Sequence, residues 1–353
     1  MTFPSLSVNI SLCDPLFCIC LDWRHIVSGS WGHINNTTTH THTEFFHFCM
    51  ERQINGHTDI LSVPVYRKFN NRKDYVAIID AFDLLSTLEE QGLSSETTKS
   101  LDTEFLSMPV AILVGMTKGS SKLWTCQPSL SLRELIELFT KHRVHRVLVL
   151  DDIPIRTDQA DSDDNTAIEQ EQQARQPSAG RLVSQTDVVR YLLEHNHELG
   201  SILDMPADQA AGHALRYAEE YLDETTAKKL KRTPVSITIQ SQAWDALQKM
   251  STSHATCVAV VDSDGALVAE MSAADLRGIN PNRIEDLHRP VLVYLKTCQG
   301  SLKRPLSCRA KFSLGQLMSG VVRNHGHRSW LVDDEDRPVG CITLSDILAV
   351  YLN

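Results

Sequence analysis

A chain of 353 residues with 42% hydrophobic and 22% charged side chains has an ordinary globular composition and enough length for two domains. Its formal net charge of −10 excludes a general nucleic-acid binder, which needs a basic face against the phosphates, but leaves room for a local basic pocket. Nine cysteines, an odd count without paired spacing, point to a reducing compartment rather than a disulfide framework.

Residues 1–39 show no apolar period and are expected to be poorly ordered. Pro4, Asp14 and Pro15 interrupt the charge-poor start and no basic segment precedes it, which argues against a signal peptide. No stretch reaches the roughly 18 apolar residues of a membrane-spanning helix. Cys18 and Cys20 near His40 and His42 suggest a metal site, but no second cysteine pair follows at zinc-finger spacing.

From residue 40 the chain reads as repeats. In the first copy a helix over Glu44–Gln53 precedes strands at Leu61–Tyr66 and Tyr75–Ile79, and Asp80-Ala81-Phe82-Asp83 opens a helix. The second has a helix at Leu135–Thr140, strands at Val147–Leu150 and Arg181–Val183, and Ser184-Gln185-Thr186-Asp187 opening the next helix. Between its strands, Ile153–Ala179 is polar, rich in Asp, Gln and Glu, and expected to be a disordered surface loop, either regulatory or simply tolerated. A connecting helix is expected within Asp204–Arg232, with Lys228-Lys229-Leu230-Lys231-Arg232 as a solvated helix end. The third copy follows with a helix at Ala243–Met250, strands at Cys257–Val261 and Leu267–Met271, and then Ser272-Ala273-Ala274-Asp275. In the fourth, strands Trp330–Val332 and Pro338–Ile342 lead to Thr343-Leu344-Ser345-Asp346 and a C-terminal helix.

The spacing repeats as well. Asp262 to Asp275 and Asp333 to Asp346 are both 13 residues, and Asp151 to Asp187 is 36, an excess of 23 that measures the insertion. One helix–strand–strand–helix unit is too small to close a core, so copies should pack in pairs: 40–200 and 205–353.

The strand followed by [Ser/Thr]-x-x-Asp and an apolar helix resembles the CBS motif, and four copies resemble two tandem Bateman modules, an α/β (α+β) fold. Val144-His145-Arg146-Val147-Leu148-Val149-Leu150-Asp151 and Gly340-Cys341-Ile342-Thr343-Leu344-Ser345-Asp346-Ile347-Leu348 make the chain similar to the gamma subunits of AMP-activated protein kinase and their fungal and plant relatives. His145-Arg146 stand six and five residues before Asp151, and His327-Arg328 stand at the same offsets before Asp333.

The resemblance implies an adenine nucleotide (AMP, ADP or ATP) in the clefts, with a catalytic alpha-type kinase subunit and a beta-type scaffold as partners, in the cytoplasm or nucleus. The residue chemistry suits it. Asp187, Asp275 and Asp346 are candidate acceptors for the two ribose hydroxyls, and Ser184, Ser272, Thr343 and Ser345 lie beside them. His145-Arg146 and His327-Arg328 supply donors and positive charge for phosphate, which arginine holds through two parallel hydrogen bonds. The same Ser/Thr-x-x-Asp pattern is also a plain helix cap that needs no ligand.

Two copies depart from the pattern. Copy three has Thr256-Cys257 in place of His-Arg; copy one has Leu61-Ser62 there, and Asp80 where a hydroxyl should be. A second carboxylate would repel phosphate, so site one is expected to be empty or non-standard. These departures keep open a diverged CBS-only adaptor without a kinase partner. Catalysis is not expected: no phosphate-loop, H-E-x-x-H or G-x-S-x-G signature occurs.

Overall fold

The computed structural model describes residues 62–69, 72–90, 109–150, 181–222, 224, 234–277, 279 and 281–352. The expected helix at Glu44–Gln53, the cysteine–histidine region before it, the acidic insertion and the Lys228–Arg232 cluster lie outside these residues.

Copies two to four share one plan. In copy two, β3 (Thr125–Cys126), α2 (Leu132–His142), β4 (Arg146–Val149), β5 (Arg181–Ser184) and α3 (Gln185–Glu194) follow in order. Copy three, preceded by α4 (Ala207–Tyr221), has β6 (Ser236–Thr238), α5 (Ala243–Ser253), β7 (Cys257–Val261) and β8 (Leu267–Ser272); α6 (Pro281–Asp286) and α7 (Val291–Gln299) follow. Copy four comprises β9 (Ser307–Cys308), α8 (Leu314–Arg323), β10 (Arg328–Val332), β11 (Pro338–Thr343) and α9 (Leu344–Ala349). Each sheet has three strands: the short first strand runs parallel to the second, and the second and third form an antiparallel hairpin. Those two- and three-residue first strands are too short to show an alternating pattern, and the sequence reading missed them. Copy one is described as β1 (Ser62–Phe69), β2 (Arg72–Asp80) and α1 (Ala81–Glu90).

Local chemistry explains the boundaries. Ser131 and Ser313 cap α2 and α8 with reciprocal bonds to Glu134 and Gln316, closing capping boxes. The turn after each first helix places Arg143, His254 and His325 at φ 56°, 50° and 49°. Each stands eight residues before Asp151, Asp262 or Asp333, so the same left-handed corner recurs in all three copies. Asp262 and Asp333 form their turns: Asp262 Oδ1 accepts from the amides of Asp264 and Ala266, and Asp333 Oδ1 from those of Glu335 and Arg337. One element differs from expectation. After Ser272 there is only a 3₁₀ turn, Ala273–Leu276, which gives way at Arg277 (φ −56°, ψ 135°), and α6 starts afresh at Pro281, a residue suited to the first turn of a helix.

Packing crosses the two halves of the chain. One core joins Leu84, Leu85 and Leu88 of α1 to Trp244, Leu247 and Met250 of α5, linking copies one and three. Another joins Leu135 and Phe139 of α2 and Val188 of α3 to Leu317 of α8 and Ile347 of α9, linking copies two and four. Sheet faces make a third contact, where Cys257 and Ala259 of β7 meet Trp330 and Val332 of β10.

Leu348 on α9 is fully buried in the core of copies two and four, so Leu348→Ala should lower the unfolding free energy by about 2–5 kcal/mol, measured by urea denaturation.

Candidate functional site

The starts of the hairpins and the starts of the second helices meet near one point. The amide of Gln185 donates to the carbonyl of His145 at 3.1 Å, and the amide of Leu344 to that of His327 at 3.2 Å. Each histidine is thereby clamped beside its own [Ser/Thr]-x-x-Asp turn. The result is a central cavity of about 120 Å³ lined from all four copies, by Asp80 and Phe82, Arg143, His145 and Arg146, Thr256 and Ser272, and His327 and Arg328, among others. A groove of about 600 Å³ between α1 and α5 is larger, but it is mainly apolar and gathers no set of cations. Charge, rather than size, singles out the central cavity.

Eight of the residues expected from the sequence line it: His145, Arg146, Ser184, Ser272, His327, Arg328, Thr343 and Ser345. The carboxylates Asp187, Asp275 and Asp346 do not; they sit one turn into their helices. Arg143, Gln185, Thr186, Ala274 and Leu344 line the cavity and were not singled out from the sequence, since only the fold brings them inward.

Positive charge dominates the lining. Arg328 has a side chain only 10% exposed; its Nη1 is 3.9 Å from Glu270 Oε2, and its Nε has no hydrogen-bond partner among the described residues. Burial opposes its charge, yet the Cys257 sulfur and Glu270 hold it protonated. Burial, then the charges of Arg328, Arg146 and His145, push His327 down to about 4, so it is a neutral imidazole near pH 7. Asp80 is the lining carboxylate. Burial would raise its pKa, but a hydrogen bond with His145 and the charges of His145 and Arg146 outweigh that and lower it. His145 Nδ1 is 3.7 Å from Asp80 Oδ2, and its ring lies 5.8 Å from that of Phe82. Gln185 ties copies two and four together, its Nε2 donating to Val144 O and to Ser345 Oγ, both at 2.9 Å. Ser345 is therefore buried and already engaged.

The three motif aspartates divide their oxygens between two tasks. Oδ2 closes a capping box, accepting the amide of Ser184 at 2.9 Å in copy two, and those of Ser272 and Thr343 at 2.8 Å. Oδ1 faces away from the cap. Arg190 approaches that of Asp187 at 3.4 Å, Arg143 that of Asp346 at 3.6 Å, and Gln299 Nε2 donates to that of Asp275 at 2.9 Å. The capping and ligand readings are thus compatible, because each uses a different oxygen. In copy three the outer oxygen is held at full hydrogen-bond distance by Gln299, whereas the arginine contacts in the other two are loose.

Copy one is built differently. Asp83, the counterpart of those aspartates, is 1% exposed. Its Oδ2 accepts from the amide of Asp80 at 2.8 Å, and its Oδ1 from Thr117 Oγ1 at 2.8 Å and Ser120 Oγ at 2.5 Å. Both oxygens are spent on the fold. Burial and the neighbouring Asp80 raise its pKa to about 6.

The CBS domain model matches residues 114–153 and 301–353, the regions of copies two and four that carry the histidine–arginine pairs. The chain therefore contains CBS domains in a mixed helix-and-strand fold. It is also homologous to gamma-like kinase regulatory subunits. It is 24% identical over 288 residues to the SNF1-related protein kinase regulatory subunit gamma-like PV42a of Arabidopsis thaliana, covering 78% of this chain and 75% of that protein. Over 109 residues it is 29% identical to the 5′-AMP-activated protein kinase subunit gamma of Saccharomyces cerevisiae, covering 31% and 34% of the two chains. A crystal structure of a Methanocaldococcus jannaschii protein, proposed as an archaeal homologue of gamma-AMPK, shares the fold with a TM-score of 0.56 and 16% identity, over 92% of this chain and 98% of the other. Among the described residues no helix is long and apolar enough to cross a membrane, and no group of His, Cys, Asp and Glu is arranged to hold a metal.

Two titrations of opposite sign follow. His327 is lowered from 6.5 to about 4 in the folded state, so its contribution is present above pH 6.5 and lost as pH falls through 4. Asp83 is raised from 3.8 to about 6, so its contribution is present below pH 3.8 and lost as pH rises through 6. His327→Gln should therefore lessen the destabilisation on acidification from pH 6.5 to 4, and Asp83→Asn should deepen it, as read from urea midpoints across that range.

Proposed function

We propose that this chain is a non-catalytic regulatory subunit that binds adenine nucleotides, with the phosphate end of AMP, ADP or ATP in the central cavity. The observation that carries the reading is Arg328: a guanidinium nine-tenths buried whose Nε, among the described residues, has no hydrogen-bond partner and whose nearest carboxylate there lies at 3.9 Å. Burying an unbalanced charge is costly, and an anion in the cavity would supply what the protein leaves out. Arg146, His145 and Arg143 add donors on the facing side. The volume suits a phosphate group rather than a whole nucleotide, whose sites span roughly 300–1,000 Å³, so the nucleoside extends toward the outer oxygens of Asp187 or Asp346. Nucleotides differing in phosphate number compete for one cavity, and occupancy shifts a partner only through differential affinity for its states.

The partners in this reading are an alpha-type catalytic serine/threonine kinase subunit and a beta-type scaffold, in the cytoplasm or nucleus, by analogy with relatives described as kinase regulatory subunits. The engaged carboxylates of copies one and three favour a second reading, an adenylate-binding adaptor that has left kinase control. Recovery of nucleotide binding without a kinase in a pull-down would select the adaptor.

Isothermal titration with AMP and ATP tests the core claim. Arg328→Gln removes a charge-assisted contact worth about 1.5–3 kcal/mol and should weaken binding roughly ten- to hundredfold. Absence of heat with any adenylate overturns the reading. Gln299→Ala should free Asp275 Oδ1 and either tighten binding or raise the stoichiometry in the same titration.

A further inference from the structure

Copy one puts an acid and an aromatic ring where the other copies put small neutral side chains. The four equivalent turns line the central cavity with their first and third residues. The first is Ser184, Ser272 or Thr343 in copies two to four, and Asp80 in copy one. The third is Thr186, Ala274 or Ser345, and in copy one Phe82. Asp80 therefore occupies a corner that elsewhere carries a hydroxyl, and among the described residues it is the only carboxylate lining the cavity.

Its two oxygens have different surroundings. Oδ1 accepts the amide of Phe82 at 2.8 Å, a bond within the turn. Oδ2 lies 3.7 Å from Nδ1 of His145, across the cavity edge in copy two, on a side chain four-fifths buried. That separation is too long for a full hydrogen bond, so the outer oxygen keeps its charge toward the cavity. The ring of Phe82 stands 5.8 Å from that of the same histidine. Copy one thus meets His145 with a carboxylate and a ring together. The carboxylate is not needed for the cap itself: the amide of Asp80 donates to Asp83 Oδ2, as the amides of Ser184, Ser272 and Thr343 do to their own aspartates. A serine at this position restores the pattern of the other copies.

We propose that Asp80 and Phe82 form a phosphate-number filter, through which copy one admits a single phosphate to the central cavity and makes the chain select AMP over ADP and ATP. The inference rests on the phosphate-binding reading of that cavity. One phosphate meets Arg328, Arg146 and Arg143 and fits the 120 Å³ available. Each further phosphoryl group brings more negative charge into a partly dry space, where a fixed carboxylate repels it strongly. Phe82 fills room that Thr186, Ala274 and Ser345 leave open in their copies. Repulsion by Asp80 grows with the charge of the ligand, so it acts on ATP more than on AMP. A purely structural role would instead change the binding of all three nucleotides alike.

AMP, ADP and ATP are titrated calorimetrically, without magnesium, into the full-length chain and into Asp80→Asn, Asp80→Ser and Phe82→Ala, whose thermal melts establish that they fold. Wild type should bind AMP at least roughly tenfold more tightly than ATP, and both Asp80 variants should improve ATP binding roughly tenfold while changing AMP binding less than about threefold. Phe82→Ala should improve ATP binding several-fold with AMP little changed. Equal affinity of wild type for AMP and ATP, or an equal change for every nucleotide in the Asp80 variants, overturns the filter. A gain for ATP in Phe82→Ala with none in either Asp80 variant overturns the part given to the carboxylate. Inorganic phosphate and tripolyphosphate are titrated in parallel. If no adenylate gives heat, but the Asp80 variants still gain selectively for tripolyphosphate, the adenine-nucleotide reading fails and the filter stands.

Discussion

Arg328 sits where four repeats meet, one-tenth exposed, facing a cavity that already holds Arg146, His145 and Arg143. Like charges collected in a partly dry space repel one another, and the surrounding structure manages that cost in several ways. Glu270 stands on one side of Arg328, steadied by Trp330, and Asp80 stands beside His145 and Arg146. His327 gives up its proton altogether. What remains is an incompletely balanced positive site, and the arrangement of the hairpins and helix starts around it makes sense as the frame for an anion.

The motif aspartates show how one short pattern can serve both stability and recognition. A carboxylate has two oxygens, and a helix cap needs one of them. In copies two and four the second oxygen faces outward with only a loose arginine contact; in copy three Gln299 takes it, and in copy one Thr117 and Ser120 do. The repeats have kept the cap everywhere and varied the outer oxygen. What approaches that one atom is therefore one of the ways the copies diverge, beside the loss of the histidine–arginine pair in copies one and three.

The cross-packing of helices gives these differences a common address. Because the helices of copy two pack on those of copy four, Arg143 reaches Asp346 and Gln185 reaches Ser345. The sheets of copies three and four pack as well, so Trp330 of copy four reaches Glu270 of copy three. No copy owns the cavity, and a change in one copy acts on side chains supplied by another.

The fourfold repeat, the hairpin strands, the capping residues and the histidine–arginine pairs were all legible in the sequence, because they depend on local periodicity and on short fixed offsets such as Asp333 to Asp346. The short parallel strands were not, since two residues carry no period, and neither was the shortened turn after Ser272, where the apolar pattern outlasts the helix. The chain order also concealed which residues line one space. Arg143, Gln185, Asp80 and Thr256 are distant in sequence and converge only when helices from opposite halves bury their apolar faces together. Local sequence determined what each repeat is made of. Tertiary packing decided which oxygens stay open and which charges are left without a partner, because both depend on neighbours that are remote along the chain.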